Sequence, residues 1–267
     1  IDSSGIASVK FYAGNQLLGT DSSSPYQFNW NTAQFAEGAV TLTAKAIDAL
    51  GHESVKNIEV IVDNQVPQVS ITLPASASTV AGLITLKANA TDSSGITSVK
   101  FYAGNQLLGT DTTSPYQVSW NTTQFAEGAT TLTAKAIDIA GNESVKTTTV
   151  VVDNQAPQVS ITSPASETIV SGQVEFKVNV ADESDISEVS FYLDNQKLAT
   201  DNTAPYSFSW DSGLYADGAV TLSATAIDSA GLEGVANPIE ITIFNILLSE
   251  RLRIKVQGRI TDGQSSA

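Results

Sequence analysis

The chain has 267 residues, 42% of them hydrophobic, with 28 acidic against 13 basic side chains and a formal net charge of −15. That composition can fill the cores of two or three domains and excludes global disorder, while so acidic a surface repels phosphate backbones and argues against nucleic acid as a partner. Cysteine is absent, which removes disulfides, thiolate metal sites and cysteine nucleophiles, and no apolar run reaches the length needed to span a bilayer.

The phrase Ser8 to Trp30, SVKFYAGNQLLGTDSSSPYQFNW, returns at Ser98 to Trp120 and, more loosely, at Glu188 to Trp210. Trp30, Trp120 and Trp210 are 90 residues apart (120 − 30 = 210 − 120 = 90), as are Asp48, Asp138 and Asp228. A period of that length is a domain and not the coil of a solenoid.

The second copy is the complete one. VSITL (Val69 to Leu73) alternates apolar and polar, and ITLKANA puts Ile84, Leu86, Ala88 and Ala90 on one face. SVKFY points Val99 and Phe101 inward, and QLLG follows the Gly104-Asn105 turn. YQVSW aligns Tyr116, Val118 and Trp120, then TLTAKAI (131–137) and VKTTTVVV (145–152) complete the set. Period-two patterning rich in Thr and Val, broken by turn residues every eight to twelve positions, predicts seven strands in an all-β, immunoglobulin-like sandwich. The first copy lacks the two opening strands found at 69–90, so it is truncated at its N-terminus and expected to be the least stable part. In the third copy Leu193-Asp194 replaces Ala103-Gly104 and Ala199 replaces Gly109, which are read as turn changes.

The phrases V-x-F-Y, L-x-T-D, P-Y-x-x-x-W and EGATTLTAKAIDIAGNES, in this order, resemble the bacterial Ig-like domain found in tandem on surface and secreted bacterial proteins. The resemblance covers residues 1 to 244 and implies three tandem immunoglobulin-like β-sandwiches, at 1–66, 67–156 and 157–244. The tail, 245–267, holds Val256 to Asp262, which resembles the opening strand of a carboxypeptidase regulatory-like domain. With no methionine in the chain and an opening IDSSG, the expectation is a segment of a longer protein.

Chemistry is sparse. His52, the one histidine, corresponds to Asn142 and Leu232 in the other copies, and a general base is not interchangeable with leucine. No enzyme activity is expected. The acids recur by position. Asp92, Asp111 and Asp138 fall in loops at the pole where the chain enters the second copy, and the entering joint VDNQVP brings Asp63 and Asn64. The third copy repeats this with Asp182, Asp201 and Asp228, met by Asp153 and Asn154 of VDNQAP; Glu143, Asp185 and Glu233 lie nearby in sequence. Oxygens gathered from several loops at a junction suit calcium, which takes six to eight of them, and the joint is similar to the Asp-Asn-x-Pro of cadherins, although the acids that complete the cadherin cage are missing. Aspartate also builds turns through its own carboxylate. Both readings apply to all ten positions. One Trp per copy, in phase with apolar strand positions, reads as core packing, with an exposed sugar-binding platform as the other reading.

The expected function is a structural spacer and interaction segment of a large bacterial cell-surface or secreted protein, extracellular, partnered by neighbouring modules of its own chain and by a cell-surface glycan or protein. The other function carried forward is a carbohydrate- or surface-ligand-binding module.

Overall fold

The computed structural model describes residues 5–245; the possible start of a further domain, read in the tail, lies outside the described residues. The strands are β1 (Ile6–Ala13), β2 (Gln16–Asp21), β3 (Gly38–Asp48) and β4 (Glu53–Val62) in the first copy. The second copy holds β5 (Gln68–Leu73), β6 (Thr79–Val80), β7 (Leu83–Thr91), β8 (Ile96–Ala103), β9 (Gln106–Asp111), β10 (Tyr116–Asn121), β11 (Gly128–Asp138) and β12 (Glu143–Val152). The third holds β13 (Gln158–Ser163), β14 (Ile169–Val170), β15 (Gln173–Ala181), β16 (Ile186–Leu193), β17 (Gln196–Asp201), β18 (Ser207–Asp211), β19 (Gly218–Asp228), β20 (Glu233–Val235) and β21 (Ile239–Ile243).

The architecture is three tandem immunoglobulin-like sandwiches. The second copy has sheets ordered β10-β7-β5 and β6-β12-β11-β8-β9; the third has β13-β15-β18 and β14-β21-β19-β16-β17, with β20 also on β19. The first copy contributes a single sheet, β2-β1-β3-β4, among the described residues. Two compact units emerge among the described residues: one from residues 5–73, 86–118 and 132–148, the other from 74–85, 119–131 and 149–245.

In the first unit, β1 is flanked by β2 and β3 in antiparallel pairing, with a bulge between Phe11 and Tyr12. The same irregularity recurs between Phe101 and Tyr102 where β8 meets β9. Val99 and Phe101 are buried as the alternation requires. A repeated phrase does not fold alike everywhere. Tyr116–Asn121 and Ser207–Asp211 are strands because each pairs with a strand that precedes the repeated phrase in its copy, β7 or β15. Tyr26 to Trp30 is not a strand, since the first copy offers no such partner among the described residues. Its apolar side chains Phe11, Leu18, Phe28, Trp30 and Leu42 instead line an open cleft of about 270 Å³.

In the second unit, the third copy closes around its own core. Phe176, Phe191, Trp210, Leu222, Ile241 and Ile243 form one buried cluster. Phe176 on β15 meets Phe191 on β16 edge to face, with ring centroids 5.0 Å apart, and this contact joins the two sheets. Each such aromatic or aliphatic side chain removed from water contributes roughly 1.5–3 kcal/mol.

The pattern of the sequence missed the two-residue strands β6 and β14. Each adds in parallel to a strand near the copy's end, β12 and β21, and two residues are too few to show a period. Gly109 and Ala199 are not turn residues as the sequence reading had them: both lie within strands, β9 and β17. Glycine suits β9 because a Cβ at Gly109 would sit 3.0 Å from Val118 Cγ1. The Leu193-Asp194 change does lie at the hairpin: Asp194 and Asn195 both have positive φ, at 47° and 67°, as a tight turn between β16 and β17 demands.

Candidate functional site

Three kinds of position hold the repeated acids, and the local backbone decides what each can do. Asp21, Asp111 and Asp201 stand at the ends of β2, β9 and β17. Asp111 Oδ1 accepts from the Thr113 amide (3.0 Å) and Oδ2 from the Gln117 amide (2.8 Å), so both oxygens are spent closing the loop. Asp201 does the same with the amides of Thr203 and Ser207. The backbone donors Gln117 and Thr113 hold the Asp111 carboxyl below the usual carboxylate range, and Gln27 and Ser23 do so for Asp21. These are turn-building carboxylates.

Asn64 and Asn154, also offered by the sequence as ligands, are turned into their own copies. Thr122 Oγ1 donates to Asn154 Oδ1 at 2.6 Å, and Asn154 Nδ2 donates to the Thr122 carbonyl at 3.3 Å. The Asn154 amide donates to Glu127 Oε2 at 2.9 Å. Asn64 repeats this with Thr32 and Glu37, and Asn245 with Ser212 and Asp217. Thr32, Thr122 and Ser212 were passed over in the sequence; their shared hydroxyl at the same 90-residue step (122 − 32 = 212 − 122 = 90) is the signal that could have found them.

The remaining six acids come together in two groups. Asp63, Asp92 and Asp138 meet in the first unit, and Asp153, Asp182 and Asp228 in the second, each group with carboxylate oxygens within 4.8 Å of one another. Asp63 and Asp153 follow β4 and β12, and each turns Oδ1 to the amide two residues on, Gln65 or Gln155, at 3.1 Å. Asp92 and Asp182 follow β7 and β15 and use Oδ1 for the amides of Ser94 (2.9 Å) and Ser184 (2.7 Å). Asp138 and Asp228 end β11 and β19, each only 1% exposed. Glu143 belongs to neither group: it pairs with Lys135 at 2.6 Å across the β11–β12 hairpin, which raises the lysine above its ordinary range. Asp185 and Glu233 also lie outside both.

The two groups differ in one partner. Asn142 donates its amide N–H to Asp138 Oδ1 (2.8 Å) and its side-chain Nδ2 to Asp138 Oδ2 (2.9 Å) and to the Asp63 carbonyl (3.2 Å). At the matching place Leu232 supplies only its backbone amide, to Asp228 Oδ1 at 2.9 Å. Asp63 Oδ2 and Asp153 Oδ2 are both buried without a hydrogen-bond partner, so the groups differ at the third acid: Asp228 Oδ2 is also unpartnered, whereas Asp138 Oδ2 is covered by Asn142. His52, which fills this place in the first copy, is a surface residue whose ring meets Asp48 Oδ2 at 2.9 Å. Oxygens so arranged can hold a hard cation; they make no nucleophile–base pair.

Trp120 and Trp210 are core residues, 1% and 4% exposed, while Trp30 is half-buried on the open cleft of the first copy. Each of the two core rings stands edge-on to the aromatic residue of the following 3-10 turn, Phe125 or Tyr215, at 5.2 Å. Neither presents a face to a sugar.

With the geometry in place, the chain can be set beside known proteins. It matches the family described as Bacterial Ig domain three times, over residues 1–44, 67–134 and 157–224. It is similar to the long isoform of ulvan lyase from Alteromonas sp, 26% identical over 294 residues that cover 86% of this chain and 29% of that protein. The Pseudoalteromonas sp. (strain PLSV) ulvan lyase, long isoform, is likewise 26% identical, with 85% and 29% covered. The chain thus spans less than a third of the length of these relatives. Among solved structures, the fibronectin(III)-like modules of Clostridium thermocellum CbhA align with a TM-score of 0.46 and 26% identity, over 67% of this chain and 94% of theirs.

Proposed function

Because the chain belongs to the bacterial Ig domain family, we propose that it is a non-catalytic spacer and interaction segment of a large extracellular bacterial protein, secreted or held at the cell surface. Structural and interaction work is what modules of this family offer; the spacer role is the finer reading. The observation that carries it is the third copy's core, which is assembled from that copy's own residues between Val159 and Ile243. A module that buries its own apolar side chains can be repeated without disturbing its neighbours, so that copy number sets length. The 29% share of the ulvan lyase relatives is consistent with such a segment accompanying a separate functional domain. A sugar-binding role draws no support from Trp120 and Trp210, which are packed inside.

Affinity electrophoresis of the whole chain through gels carrying ulvan and other bacterial or algal polysaccharides tests this reading. A spacer migrates alike in every gel. Saturable retardation that an exposed-aromatic substitution abolishes would sink it in favour of a binding module.

A further inference from the structure

We infer that Asp153, Asp182 and Asp228 form a divalent-cation site of the calcium type, and that the matching group at Asp63, Asp92 and Asp138 is the weaker of the two. The inference stands or falls independently of the spacer reading. Three carboxylates whose oxygens lie within 4.8 Å of one another repel, and none of the three takes part in an ion pair among the described residues. The second observation is burial without a partner. Asp228 is 1% and Asp153 6% exposed, and the Oδ2 of each has no hydrogen-bond donor. A buried, unpaired carboxylate oxygen is costly, and a cation removes that cost. Asp182 keeps one side toward water, in a cleft of about 490 Å³ lined also by Glu127, Asp153, Gln155, Glu183 and Ser184. That cleft gives an ion its way in and leaves room for the water ligands that calcium retains.

The ligand class follows from chemistry and spacing. All three donors are carboxylates, which excludes soft metals. Calcium takes six to eight oxygens at about 2.3–2.6 Å in flexible geometry, which suits carboxylates contributed by three separate loops, whereas magnesium demands a near-ideal octahedron.

Residue 232 separates the two groups. Asn142 covers Asp138 Oδ2 with its side-chain amide and ties it to the Asp63 carbonyl. Leu232 has no such amide, and Asp228 Oδ2 is left for an ion. The same comparison explains why aspartate is not required by the joint as such. Phe244 stands where Asp63 and Asp153 stand (244 − 153 = 91, one residue beyond the repeat), and Asn245 still makes the lock that Asn64 and Asn154 make.

Isothermal titration of the whole, EDTA-stripped chain with calcium chloride tests the assignment, with the thermal midpoint as a second readout. We expect one site of Kd about 0.1–1 mM, the range of extracellular modules, and a midpoint that rises with calcium. Asp228→Asn should weaken binding at least tenfold. Leu232→Asn, a change at a half-buried loop position, should weaken it while leaving the calcium-free midpoint unchanged or higher, since the new amide can cover Oδ2. No heat and no midpoint shift in the wild-type chain would overturn the proposal. So would a site lost on Asp138→Asn and kept in Asp228→Asn, or two sites of equal affinity.

Discussion

The hydroxyl of Thr122 donates to Asn154 Oδ1 at 2.6 Å, and this short bond ties the end of one copy to the 3-10 turn of the same copy. Thr122 is fully buried, and its hydroxyl also reaches the Gly82 carbonyl at 3.1 Å. Gly82 in turn gives its amide to Asn154 Oδ1 at 3.3 Å. Removing the asparagine leaves several polar groups without partners. We expect Asn154→Ala to destabilise the second copy by roughly 1–3 kcal/mol, the usual cost of a buried unsatisfied group. Denaturant unfolding followed copy by copy through hydrogen exchange would measure it. A neutral result would mean that water replaces the side chain.

Trp30 and Trp210 occupy the same place in the repeat and should not be worth the same. Trp210 is buried in the third copy's core, while Trp30 is half-buried on the rim of the open cleft. Trp210→Ala should cost the third copy about 3–5 kcal/mol. Trp30→Ala should cost the first copy distinctly less, because the ring leaves no closed cavity behind. Equal losses, read by exchange protection of β16 and of β1, would contradict the open face described for the first copy.

The Asp111 carboxyl is held below its ordinary value of 3.8 in the folded chain by the Gln117 and Thr113 amides. A depressed carboxyl stabilises the fold above the unfolded value, and that contribution is lost as the pH falls through the folded one. Asp111→Asn keeps one acceptor oxygen and turns a donor toward one of the two amides. We therefore expect a lower unfolding midpoint than wild type at pH 7, with the gap closing as the pH is taken below 3.8. A gap that persists unchanged at the lowest pH would assign the effect to shape and not to charge.

Much of this was legible in the sequence, and the failures have causes. Leu86, Ala88, Val99 and Phe101 are buried where alternation placed them, since a strand with one buried face must put every second side chain inside. The two-residue β6 and β14 were invisible because their pairing comes from distant strands and not from local pattern. Of the ten oxygen-bearing positions, the sequence showed which recur but not which carboxylates the backbone had already engaged. Asp111 and Asp182 are both followed by a hydroxyl residue at the second position on. Only the fold reveals that Asp111 gives its second oxygen to Gln117 and that Asp182 is set beside Asp153 and Asp228. The difference between Asn142 and Leu232 was noticed only as evidence against a catalytic base at His52. Its consequence for Asp228 Oδ2 needed the burial of that atom.

Gly234 marks the tightest approach in the third copy. A Cβ built there would lie 1.9 Å from the Pro157 carbonyl oxygen and 2.8 Å from the carbonyl carbon. Both are backbone atoms of the proline that closes the VDNQAP joint, so no side-chain rotation can make room. The matching residue of the second copy, Ser144, carries a Cβ, so the close approach is particular to this copy and not to the repeat. Gly234→Ala must therefore push β20 away from Pro157, at a cost of about 1–3 kcal/mol for overpacking, and more if the strand detaches. The expected signs are a lower midpoint for the third copy and faster amide exchange at Val235 and Ala236, whose amide donates to the Ala224 carbonyl at 2.9 Å. Wild-type exchange at both positions would show that β20 yields without loss, and that the proline contact does not hold the strand in place.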